Sequence, residues 1–72
     1  MKTVLIEMSM QELFEVVSAL INRAEVLMSK QAPKATVYQT IQRAEKFNKL
    51  LKESGYDYWE DEKFMNLKAR AV

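Results

Sequence analysis

The sequence predicts a mainly α fold: an antiparallel helical hairpin, with a short N-terminal β-strand before it and a C-terminal third helix or second strand after it. Three observations carry this. Apolar residues recur at helical spacing from Met10 to about Lys30 and again up to about Ser54. A Gln31-Ala32-Pro33 break separates the two stretches and is too short for anything but a fold-back. The whole chain is 72 residues, enough for one domain, residues 1–72, with a marginal core.

Residues 2–8 read as a strand, because Val4, Ile6 and Met8 alternate with Thr3, Leu5 and Glu7. Ser9 ends that strand and caps the first helix; Glu12 stands at the capping-box spacing from it. Met10, Leu13, Phe14, Val17, Leu20, Ile21, Ala24, Leu27 and Met28 share one helical face. At ~100° per residue they span an arc of roughly 160°. That is wider than one neighbouring helix covers, which makes this helix the expected centre of the core. Val26 falls on the polar side and is an outlier.

Pro33, lacking an N–H, suits the first turn of the second helix. Val37, Ile41, Ala44, Phe47 and Leu51 form that helix's stripe, and Gly55 stands where a C′ residue belongs. Asn48 falls within the stripe and reads as a satisfied polar residue at the interface edge. Residues 56–72 fit two patterns. Asp57 and Glu60 have capping spacing, and Glu60, Phe64, Leu67 and Ala71 fit a helix; Met65, Leu67, Ala69 and Ala71 also alternate as a strand would. The helix is favoured. A strand at residues 2–8 needs a hydrogen-bonding partner, either the C-terminal segment, the same strand of a second subunit or a target's sheet edge.

Composition narrows the chemistry. There is no cysteine and no histidine, so disulfides and the common zinc sites are excluded, along with the usual nucleophile–base pairs. One glycine cannot build a phosphate-cradling loop. Glu12 and Glu15 read as helix-dipole partners rather than a catalytic pair, and Glu60, Asp61 and Glu62 as the acidic first turn of a third helix. The expectation is a non-enzyme without cofactor or metal. Residues 1–10 carry only Lys2 ahead of a short apolar run and do not read as a signal peptide; no apolar run approaches a membrane span of ~20 residues. A cytoplasmic location is expected, and the absence of cysteine suits it.

Two surfaces stand out. Tyr56, Tyr58 and Trp59 lie beside Asp57, Glu60, Asp61 and Glu62. Aromatic residues of this kind bury large area at low entropy cost, so Tyr56, Tyr58, Trp59, Glu60 and Asp61 are the candidate protein-binding residues, unless the rings merely close the end of the hairpin. Residues 32–55 carry five basic side chains against two acidic, a local +3, within a chain of net charge +1. Arg43, Lys46 and Lys49 with Tyr38 are the alternative, an anion-binding face for nucleic acid or phosphorylated nucleotides; a solvated helix face is the simpler account of the three basic residues. Val4, Ile6 and Met8 are the expected self-association residues.

The leading expectation is therefore a non-enzymatic protein-binding module that self-associates and modulates a larger macromolecular complex. Its small size and plan look like those of many tiny phage and mobile-element proteins, an analogy of architecture. An anti-defence inhibitor of the anti-CRISPR type is one concrete version. The second expectation is an oligomeric binder of nucleic acid or nucleotides through the basic second helix.

Overall fold

Ser9 opens the first helix, α1 (Met10–Ser29), in the computed structural model, which describes residues 7–71. The Glu12 N–H donates to Ser9 Oγ at 3.1 Å, and the Ser9 N–H donates to Glu12 Oε1 at 3.0 Å. Two orphan donors of the first turn are thereby satisfied reciprocally. Met8 stands at N′ and Leu13 at N4, the positions of a hydrophobic staple; Leu13 is buried and Met8 is half-buried against the core.

The expected strand is not borne out over the two of its residues that are described, Glu7 and Met8. The described residues contain no strand, and Glu7 and Met8 precede the helix without regular structure. Residues 1–6, with Val4 and Ile6, lie outside the described residues.

The link to the second helix is a Schellman closure. Ala32 N donates to Leu27 O at 2.9 Å and Gln31 N to Met28 O at 3.1 Å. Gln31 takes the left-handed position, φ 58°, that such a closure demands. Pro33 then serves as the N-cap, not as a residue of the first turn: its ψ of 139° is extended, and helix α2 (Lys34–Glu53) begins one residue later. Its carbonyl accepts from Thr36 and Val37.

A second Schellman closure ends α2. Gly55 N donates to Lys52 O and Tyr56 N to Leu51 O, both at 2.9 Å, with Gly55 at φ 94°. Residues 56–60 then lead into α3 (Asp61–Ala71). The C-terminal segment is thus a helix, not a strand. Asp57 does not cap it, because the helix starts only at Asp61; Glu60 directly precedes it and accepts from Lys63 N at 3.0 Å.

α2 is the centre of the core, not α1: it packs along α1 on one flank and along α3 on another. Both neighbours run antiparallel to it. Lys52 meets Asp61 at one end of the α2–α3 pair, and Lys68 pairs with Glu45 further along. Of α1's wide arc only Leu13, Val17, Ile21 and Ala24 are buried. Val37, Ile41, Ala44 and Leu51 of α2 and Phe64, Leu67 and Ala71 of α3 complete the core. The backbone measures 33 × 30 × 16 Å, a flattened shape that follows from a short third helix laid on one side of a hairpin. No helix among the described residues is long and apolar enough to cross a membrane.

Candidate functional site

The tight closure at Gly55 turns the chain back across the end of α1, and this places the aromatic segment. Phe14, on the second turn of α1, is the hub. Its ring stacks on Trp59 at 4.7 Å between centroids and takes Tyr58 and Tyr56 edge-on at 5.0 and 5.6 Å. Tyr58 also meets Trp59 edge-on at 4.9 Å, and Tyr56 and Tyr58 are near parallel at 6.4 Å. Edge-on and stacked pairs at these separations add roughly 0.5–1.5 kcal/mol each beyond area burial. The cluster therefore holds its shape without being covered.

Trp59 is half-buried against the core, whereas Tyr58 is 62% exposed and Tyr56 38%. Glu60 and Asp61 are exposed as well. The structure thus brings the five expected residues to one end of the molecule, with the tyrosines outward and the tryptophan inward. Beside them Met10, Gln11, Phe14 and Tyr56 line a shallow depression of about 250 Å³. Met10 and Phe14 had no functional signal of their own in the sequence. The one available sign was α1's excess apolar width, since these two residues sit where α2 does not reach.

Asn48 ties the site to the scaffold. It is 2% exposed, and its Nδ2 donates to the Trp59 carbonyl at 3.3 Å. Its Oδ1 has no hydrogen-bond partner among the described residues, so it is not the fully satisfied edge residue expected from the sequence. Lys52 adds a second tie, reaching Asp61 at 3.0 Å and Asp57 at 3.9 Å. Its pKa is raised, chiefly by the hydrogen bond to Asp61 and further by the charges of Asp61, Asp57 and Glu60, against a desolvation that lowers it.

The alternative anion-binding residues Arg43, Lys46 and Lys49 are exposed one turn apart along α2. Tyr38 is half-buried against the core. Arg43 and Lys46 line a shallow surface depression with Gln39 and Gln42, while Lys49 lines a different one with Glu45, Asn48, Lys52, Asp61 and Phe64.

Charge is sorted by end. When each helix is divided at its middle, residues 7–19 and 44–65 hold nine acids against four bases, a net −5. Residues 20–43 and 66–71 hold six bases against one acid, a net +5. The aromatic cluster belongs to the acidic end. The fold and this site define a three-helix domain with an exposed aromatic–acidic end. Comparison with protein-family models, curated proteins and solved structures finds no match.

Proposed function

We propose that this chain is a non-enzymatic protein-binding module whose aromatic–acidic end contacts a protein partner and modulates the larger complex to which that partner belongs. The observation that carries the reading is the four-ring cluster around Phe14, held by ring–ring contacts and by the Asn48 bond to the Trp59 carbonyl, with Tyr58 left 62% exposed. A preorganised aromatic surface loses little side-chain entropy on binding, which is what makes such residues hot spots. The surrounding carboxylates favour a partner with a basic surface and repel nucleic acid. A groove that ordinarily holds nucleic acid is one such surface, so an inhibitor competing for that groove is one version of the role.

The test is capture of a protein from lysate of the source cells by the immobilised chain. Tyr58→Ala should abolish capture at unchanged helical circular dichroism, and Lys46→Glu with Lys49→Glu should leave it intact. The reverse pattern, with salt-dependent nucleic-acid binding lost on the lysine changes, would replace this reading with the anion-binding one.

A further inference from the structure

We infer that two copies of this chain pair antiparallel through the face of the α1–α2 hairpin opposite α3, leaving the aromatic end of each copy free. α3 and its lead-in reach only one side of the hairpin. On α2 that side is marked by Glu45, Asn48 and Lys52, which contact Lys68, the Trp59 carbonyl and Asp61. On α1 it is marked by Phe14, under the aromatic rings, and by Glu25, 3.8 Å from Arg70. Helical spacing puts a second set of apolar residues well away from these. Leu50 lies about 160° from Lys52 around α2, and Phe47 about 100° from Asn48. Leu20 lies about 140° from Glu25 around α1, with Leu27 and Val16 beside it.

Leu20, Leu27 and Phe47 pack inward against the core, but among the described residues no helix lies over the outer side of this second set. Leu50 is 43% exposed, and Val16, Leu20, Leu27 and Phe47 are only half-buried. The over-wide apolar arc of α1 is divided in this way: its buried part faces α2, Phe14 on one flank carries the aromatic rings, and Leu20 and Leu27 lie on the other flank. A small domain with no disulfide commonly gains its missing core from a partner subunit.

The charge distribution says which partner. A second copy laid antiparallel sets the net −2 half of one hairpin, residues 7–19 and 44–53, against the net +3 half of the other, residues 20–43, twice over, and closes the pair about a two-fold axis. A parallel pair would set like against like. Helix stability does not explain the sorting by itself. It favours acids at the starts of α1 and α3 and bases at the end of α3, as found. At the start of α2, however, it would favour an acid, and the residue there is Lys34, with no acid in the first turn. The acidic aromatic end lies on the α3 side, so the proposed dimer carries two copies of the protein-binding site at its two opposite ends.

Sedimentation velocity over a concentration series tests this. The expected mass at high concentration is twice 8.4 kDa, with dissociation promoted by added salt. Leu50→Glu and Leu20→Glu, each at a position outside the buried core, should weaken pairing by about 30-fold or more while helicity is retained. Met65→Glu, on the exposed side of α3, should not. A strict monomer at low salt and high concentration overturns the proposal. So does a dimer that tightens with salt, or one that tolerates Leu50→Glu and is lost on Tyr58→Ala. Capture of a protein partner by a wild-type chain that is a strict monomer would leave the binding reading standing without the dimer.

Discussion

Gln31 is the residue most at odds with its own backbone. It adopts φ 58° because the closure between α1 and α2 needs a left-handed residue, and a side chain there costs about 1–2 kcal/mol. Gln31→Gly should therefore raise stability by about 1 kcal/mol, read as a higher urea midpoint at unchanged slope. The corresponding position after α2 already holds Gly55. Glu12 makes a second prediction. The Ser9 backbone N–H, and then the Ser9 hydroxyl, hold its carboxyl below the ordinary value of 4.5. A lowered folded pKa means that the ionised carboxylate stabilises the fold above the unfolded value, and that this contribution is lost as pH falls through the folded value. Glu12→Gln keeps a capping side chain but removes the titration, so the variant should show a shallower loss of helicity on acidification below about pH 4.5.

At the scale of the elements, α3 is the weak unit. It is 11 residues long, and short helices are marginal without packing. Phe64 and Leu67, each 1% exposed, are what hold it to α2. Phe64→Ala should cost about 3–5 kcal/mol, enough to detach α3 or unfold so small a domain, and amide exchange over residues 61–71 would read it. The α2–α3 seam also contains Asn48, whose Nδ2 bond to Trp59 is its only contribution there. Asn48→Asp replaces a buried donor by an anionic acceptor facing a carbonyl. The expected loss is several kcal/mol, and the Trp59 fluorescence should shift as its backbone anchor fails.

At the scale of the whole molecule, the helix pairing decides what the surface offers. The local +3 of residues 32–55, obvious along the sequence, is not presented as a unit, since Lys52 is engaged by Asp57 and Asp61 while Arg43, Lys46 and Lys49 stay exposed one turn apart along α2. In its place stands an end-to-end polarity that no linear window reveals, because it sums charges from residues far apart in the chain. Association through the uncovered hairpin face makes apparent stability depend on concentration. The midpoint of thermal unfolding should rise with protein concentration for the wild type and be independent of it for Leu50→Glu.

Local chemistry made much of this protein legible before any fold was known. The capping box at Ser9 and Glu12, the glycine after α2 and the apolar spacing of α1 and α2 all act within a turn or two of the chain, so their pattern determines the helices directly. The aromatic–acidic run from Tyr56 to Glu62 was legible as a candidate site for the same reason. Other features were decided only by tertiary packing. Met8 is half-buried against the core ahead of the helix, without strand structure, because an apolar residue at that position fits a helix entry as well as a strand end. α2 rather than α1 becomes central because periodicity measures how wide an apolar face is, not which neighbour covers it. Phe14 becomes the hub of the aromatic end because residues 14 and 59 are remote along the chain and meet only once α1 and α2 lie antiparallel.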